Sequence, residues 1–212
     1  MNRLPHILAF ATFLLVLPIT SIADTKVSAY FNEKLKTINR FLADNHKKAV
    51  QEPSLLTDFV DNELLEVWSA KNTVRALLGP RRWKQLSHEQ AETVIAAYED
   101  TIRRYLFETV KKYSNQTASV ESLRLNSKGN KGLLRVVVES PSLPDFNVDL
   151  KIYKDESFWT VYDFSFQGVS FVSLKRNFFR STFDSFGIEG VVNQLNKKNQ
   201  AFERWQASNN NE

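Results

Sequence analysis

The sequence predicts an α+β fold: a single domain in which an antiparallel sheet of about four strands is covered by helices. Two periodicities indicate this. Apolar residues recur at helical spacing through residues 24–115 and again through 171–205. Between these regions, residues 116–167 alternate apolar and polar side chains, which is typical of strands with one apolar and one polar face. The apolar face of such a sheet needs a cover, and the helices supply it.

The N-terminal segment, residues 1–23, is expected to be a cleaved signal peptide that leads to the periplasm. Arg3 is its only formal charge, and Ser21 and Ala23 form a small-x-small cleavage site. Its apolar run over 7–19 is shorter than the roughly 20 residues that span a bilayer. An uncleaved membrane anchor is the alternative. We therefore expect the domain to comprise residues 24–205.

Helix-forming segments follow in order. A first helix is predicted over 25–46, where apolar residues form an approximate stripe. Pro53 suits the first turn of a second segment, because that position needs no backbone amide. Gly79 and Pro80 end a short helix, since glycine adopts the left-handed cap and proline prevents continuation. The chain thus divides into several short helices after the first one.

A long helix is predicted to run from a capping box formed by Ser87 and Gln90 to about Ser114. Its apolar face includes Tyr98 and Leu106. This helix is a candidate cover for the sheet.

Three of the strands show clear alternation, and a weaker one is predicted over 120–125. Turns are predicted over 128–132 and 141–145. The apolar rows of the three clear strands are Leu134, Val136 and Val138; Phe146, Val148, Leu150 and Ile152; and Tyr162, Phe164 and Phe166.

The last third of the chain returns to helix. A turn at 168–170 joins the sheet to an aromatic-rich helix that holds Phe179 and Phe183, and Ser170 is suited to cap that helix. Gly187 separates it from a final helix. Residues 206–212 are polar and are predicted to be a disordered tail.

The composition argues against several kinds of chemistry. The chain has no cysteine, which excludes disulfides, thiolate metal sites and cysteine nucleophiles. His6, His46 and His88 show no metal-ligand spacing, and neither a Gly-x-Ser-x-Gly elbow nor a glycine-rich phosphate loop occurs. The net charge of +4 falls by one with Arg3, which is too mild to indicate nucleic-acid binding. We expect no metal, no cofactor and no catalysis.

Two blocks of motifs resemble the MlaC family, also known as toluene-tolerance proteins. The first contains LGPRRW at 78–83, the Ser87-x-x-Gln90 box, Tyr105 and YSNQ at 113–116. The second, more specific block contains WTVYD at 159–163, GVS at 168–170 and GIEGV at 187–191. With the signal peptide, the resemblance extends over nearly the whole chain.

This resemblance implies a non-enzymatic periplasmic carrier with phospholipid as its cargo. It implies a curved sheet and helices that enclose an apolar cavity for the acyl chains, and a monomer that moves lipid between an outer-membrane lipoprotein/porin complex and the lipid-binding ring protein of an inner-membrane ABC transporter. The side chains expected to line the cavity are Tyr98, Leu106, Leu134, Val136, Val138, Val148, Leu150, Ile152, Tyr162, Phe164, Phe166, Val169, Phe179 and Phe183.

Three alternatives remain open at this point. Some relatives handle hopanoids, so the cargo could be another lipid. A periplasmic hydrolase could use the same pocket, because a fold alone does not exclude catalysis. The apolar rows could also close on each other in a solid core, as they do in a pure interaction module.

Overall fold

The computed structural model describes residues 22–156 and 158–209 and confirms the α+β fold. The predicted signal peptide lies almost wholly outside the described residues. The described part of the chain begins with four helical pieces, and the first is longer than the predicted 25–46. These pieces are α1 (Ile22–Gln51), α2 (Pro53–Phe59), a π-helical turn (Val60–Leu64) and α3 (Leu65–Val67).

Three further helices precede the sheet: α4 (Ala70–Leu78), α5 (Pro80–Trp83) and α6 (His88–Val110). The predicted capping box is present at the start of α6. The Ser87 hydroxyl accepts a hydrogen bond from the Gln90 amide at 3.1 Å, and the Gln90 side chain accepts one from the Ser87 amide at 3.0 Å. Two orphan amides at the helix start are thereby satisfied.

The sheet is antiparallel, and its strands lie side by side in chain order. It has one more strand than the four or so predicted, because two residues after the β4 turn pair back onto β4. The strands are β1 (Thr117–Leu125), β2 (Lys131–Glu139), β3 (Phe146–Asp155), β4 (Phe158–Phe166) and β5 (Val169–Ser170).

A β-bulge interrupts β4 at Tyr162. Leu150 pairs with Phe164 and Ile152 pairs with Val161, so one extra residue lies in β4 between these pairs. Residues of the α3–α4 connection satisfy the backbone there: the Ser69 amide donates to the Val161 carbonyl at 2.8 Å. The bulge places Val161, and not the predicted Tyr162, on the apolar face of the sheet.

Helix α1 runs along β1, which is one edge of the sheet. The Asn39 side chain donates to the Ala118 carbonyl at 2.8 Å and accepts from its amide at 3.1 Å. The Asn32 side chain accepts from the Val120 amide at 3.0 Å. These amide side chains occupy backbone groups that an open edge would offer to another strand.

The final helix, α7 (Phe171–Asn209), is kinked at Gly187, where the aromatic-rich helix was predicted to end. The Ser170 hydroxyl accepts from the Ser173 amide at 3.1 Å, so the predicted cap is present. The predicted tail of residues 206–212 begins within this helix, which continues to Asn209; residues 210–212 lie outside the described part of the chain.

Gly187 is expected to be sensitive to substitution. Its φ of 66° and ψ of −168° belong to a region that is essentially restricted to glycine, and an added Cβ would lie 2.9 Å from the Glu189 carboxylate. Replacing Gly187 with alanine should lower the free energy of unfolding by about 1–3 kcal/mol in urea denaturation. The Ser185→Ala substitution in the same helix should change it by less than about 0.5 kcal/mol. Equal effects of the two substitutions would contradict this interpretation.

The described residues form three buried clusters. One lies among α4, α6 and α7, with Val74, Val94 and Phe179 at its centre. A second packs α1 onto β2, β3 and β4, and a third joins α1, α2, the π-helical turn and the end of α6. Over the described ranges, no helix is both long and apolar enough to cross a bilayer.

Candidate functional site

A cavity of about 630 Å³ lies where these three clusters approach one another, between the helices and the apolar face of the sheet. Its apolar and aromatic lining comes from α1, the α2–α4 region, α6, three strands and the start of α7. These side chains are Phe31, Leu35, Ile38, Leu64, Val67, Trp68, Tyr98, Ile102, Tyr105, Leu106, Leu134, Val148, Leu150, Val161, Phe164 and Phe171.

Four aromatic side chains form a connected group along one side of the cavity. Phe164 stacks on Phe171 with 5.2 Å between ring centroids. Trp68 meets Phe164 edge-on at 6.1 Å, and Tyr105 meets Phe171 edge-on at 6.0 Å. Offset and edge-on contacts of this kind fix the ring positions, so this side of the cavity has a defined shape.

Polar side chains in the lining come from α1, the last turn of α6 and the turn that follows it: Lys34, Glu108, Thr109 and Lys112. Lys34 donates to Glu66 at 2.9 Å and to Glu63 at 3.3 Å. Glu108 pairs with Arg104 at 3.1 Å. Because Glu108, Thr109 and Lys112 are exposed, the cavity meets solvent on this side.

The electrostatics of the lining favour an uncharged interior. Burial raises the pKa of the Tyr98 hydroxyl, which therefore stays protonated. The hydrogen bond from Lys34 to Glu66 raises the pKa of Lys34 and keeps that ammonium charged at the opening. Within the described ranges, no three His, Asp or Glu side chains are grouped as metal ligands would be.

Asp163 fixes the start of α7, and thereby Phe171, against the sheet. Its side chain is 1% exposed, although the alternation predicted a solvent-facing position. It accepts hydrogen bonds from the Ser170 hydroxyl at 2.6 Å, the Lys151 ammonium at 2.7 Å and the Val172 amide at 3.0 Å. Asp163 is therefore covered by Lys151 and by the first residues of α7, on the polar face of the sheet.

The model of the protein family MlaC, described as "MlaC protein", matches residues 32–197, which is more than half of the chain. The chain belongs to the MlaC family. Its fold is similar to that of the phospholipid-binding protein from Ralstonia solanacearum, whose structure was solved in complex with a phospholipid. The TM-score is 0.66 at 20% sequence identity, and the match covers 86% of this chain and 99% of that one. At this identity the likeness shows a shared fold.

Six of the side chains predicted to line the cavity do lie in its lining. Tyr98 and Leu106 approach from α6, and the others come from β2, β3 and β4. The strand residues are Leu134, Val148, Leu150 and Phe164. The structure therefore brings together residues from all three clear strands and the long helix.

Three predicted strand residues lie outside the lining of the MlaC cavity although they belong to the same apolar rows. Val136 and Ile152 are buried in the cluster between α1 and the sheet, and Val138 packs against that cluster. The physical reason is the position of α1, which covers part of the apolar face directly. The cavity occupies only the remaining part.

Three further predictions for β4 and β5 need correction. The bulge puts Tyr162 outside the cavity, in a separate hollow with Tyr153 and Arg75. Phe166 and Val169 lie at the end of the sheet, where they are 42% and 58% exposed. Phe166 meets the ring of Phe146 edge-on and does not reach the lining.

Phe179 and Phe183 were also expected to line the cavity, and the structure places them elsewhere. Phe179 is buried among α4, α6 and α7, where its ring meets Tyr98, and Phe183 packs against the same cluster. Helix α7 therefore completes a helical core and does not cover the sheet. Among the described side chains of α7, only Phe171, its first residue, enters the lining.

The sequence reasoning missed the contribution of α1. Phe31, Leu35 and Ile38 enter the MlaC cavity from this helix. The apolar stripe of the first helix contained Leu35 and Ile38, and that stripe was the available signal. Nothing in the pattern indicated that this helix, and not the aromatic-rich one, lies over the sheet.

Proposed function

We propose that this chain is a periplasmic phospholipid carrier without catalytic activity, which holds the acyl chains in the cavity and exposes the head group. In this proposal, residues 1–23 are removed as a signal peptide and residues 24–205 form the carrier domain, followed by a short disordered polar tail. The carrier acts as a monomer and needs no cofactor.

The observation that carries the proposal is the cavity of about 630 Å³ with an almost wholly apolar lining. Its volume lies within the range of roughly 300–1,000 Å³ that is usual for ligand sites. Exposing one methylene group to water costs about 0.8 kcal/mol, so two fatty tails cost on the order of 20 kcal/mol. A cavity lined with apolar side chains shields the tails from water and so removes most of that cost during transport.

Family membership and the fold shared with a protein solved in complex with a phospholipid support this cargo. The polar side chains at the opening suit a head group that remains in solvent. We further propose that the carrier moves lipid between an outer-membrane lipoprotein/porin complex and the ring protein of an inner-membrane ABC transporter.

Native mass spectrometry of the protein purified from a periplasmic extract tests cargo and processing together. We expect the mass of a chain that begins at Asp24, with an added mass that extraction and fragmentation identify as phospholipid. The bound lipid should also raise the thermal midpoint relative to the delipidated protein, because a ligand that binds only the folded state stabilises it.

A delipidated protein that takes up no phospholipid from vesicles would refute the carrier proposal. Recovery of a hopanoid would support a carrier with a different cargo, whereas recovery of a hydrolysed lipid would favour an enzyme. An unprocessed mass that includes residues 1–23 would refute only the signal-peptide part.

A further inference from the structure

Four arginines lie together on a surface formed by α5 and the first half of α7. Arg81 and Arg82 come from α5, and Arg176 and Arg180 are one helical turn apart on α7. The Arg180 guanidinium lies against Gly79, since a Cβ built there would be only 2.7 Å from Nη2. We call these four residues the arginine surface.

The positive charges of the arginine surface outnumber the acidic side chains that pair with them in the described part of the chain. Asp184 accepts a hydrogen bond from Arg82 Nε at 2.7 Å and a second one from Nη2, and is the acid that the structure pairs with this surface among the described residues. The Nε atoms of Arg176 and Arg180 are buried without a hydrogen-bond partner in the described part of the chain. Unpaired buried donors of this kind cost stability and are rare in folded proteins.

Like charges also act on Arg180 directly. Burial lowers the pKa of Arg180 most, and the charges of Arg176 and Arg82 lower it further. The free protein thus keeps several guanidinium groups close together. An anion with several acceptor oxygens would offset their mutual repulsion, because arginine pairs strongly with carboxylate and phosphate groups.

The surroundings of the arginines favour a protein segment over a small anion. A hollow of about 550 Å³ lies between Arg81, Arg82, Gln85, Phe183 and Asp184. It therefore combines cations with an aromatic ring, and the nearby Phe186 is 73% exposed. The Asp184 carboxylate repels a compact dianion such as phosphate, whereas an extended segment can place carboxylates beside the arginines and apolar side chains on the rings.

We propose that the arginine surface is a docking site for an acidic segment of a partner protein that also carries apolar side chains. None of its residues lines the lipid cavity. The arginine surface and the cavity opening share no residue, so this proposal assigns docking and lipid transfer to separate surfaces.

The test uses a synthetic peptide of repeated Glu-Glu-Phe triplets and isothermal titration calorimetry with the full mature protein at low and physiological salt. We expect saturable binding that weakens with salt. The Arg81→Gln/Arg180→Gln variant should bind at least about tenfold more weakly, because charge-assisted bonds are lost at both ends of the surface. The Arg40→Gln/Lys47→Gln variant removes the same charge from α1 and should bind within about twofold of the parent.

Circular dichroism establishes that the variants are folded, and if the double variant is not, the exposed Arg81→Gln variant alone should weaken binding. The inference is overturned if a Gln-Gln-Phe peptide binds equally well, or if both double variants lose the same affinity. It is also overturned if inorganic phosphate or anionic vesicles require these arginines while the acidic peptide does not bind. Phospholipid loading should be the same in all variants, so failure here leaves the carrier proposal intact.

Discussion

Replacing Leu150 with tryptophan is expected to abolish phospholipid loading and to leave the protein folded. Leu150 lies in β3 between Leu134 and Phe164, and all three line the cavity. The larger indole can extend into the free volume of about 630 Å³, so it displaces a ligand and not a neighbouring side chain. Bound phospholipid, measured by native mass spectrometry after incubation with vesicles, should fall at least about tenfold.

Ile152 provides the matched control, because it lies two residues further along the same strand and face but in a filled region. The Ile152→Trp substitution should lower the free energy of unfolding by about 1–3 kcal/mol or more, since an overpacked core forces its neighbours apart. A Leu150→Trp protein that folds and loads normally would contradict the proposed site. Equal destabilisation by both substitutions would indicate that the interior around Leu150 is closed.

Removing the Asp163 carboxylate is expected to be the most destabilising change among the polar residues discussed. The Asp163→Ala substitution leaves the buried Val172 amide without an acceptor and separates Lys151 and Ser170 from their shared partner. Lys151 is partly exposed and regains hydration in the variant. The free energy of unfolding should therefore fall by about 3 kcal/mol, which is less than the largest losses seen when a buried ion pair is broken. Urea unfolding monitored by tryptophan fluorescence measures it.

Asp149 is the control for this prediction, since it lies in the neighbouring strand on the polar face of the same sheet. It is 22% exposed and accepts from Arg135 Nε at 2.7 Å, and this hydrogen bond is the main reason why the pKa of Asp149 is lowered. The Asp149→Ala substitution should cost less than about 1 kcal/mol, because solvent screens the pair. If the two alanine variants unfold at the same urea concentration, the buried network at Asp163 does not hold α7.

Local patterns predicted much of the fold. The alternation in β2 and β3 correctly predicted which residues share one face of the sheet. The Ser87 capping box, the helix break at Gly187 and the Ser170 cap were also predicted from short sequence motifs. Each depends on residues close together in the chain. Physical reasoning from spacing is strongest in such cases.

The failures involve contacts between distant segments. Tyr162 continues the apolar row of β4 in the sequence, but a bulge, accompanied by a backbone hydrogen bond from the α3–α4 connection to Val161, changes its side of the sheet. Phe179 has the spacing of a cavity-facing helix residue, and the choice between sheet and helical core depends on where α7 packs. Spacing identifies an apolar face and does not identify its partner.

The meeting of three separately packed clusters around one cavity has a mechanical consequence. Away from its opening, the apolar lining of this cavity is poorly hydrated, and hydrostatic pressure favours the unfolded state, in which such poorly filled space is lost. A guest that fills this space reduces the volume difference between the folded and unfolded states. The empty protein should therefore unfold at a lower pressure than the occupied one.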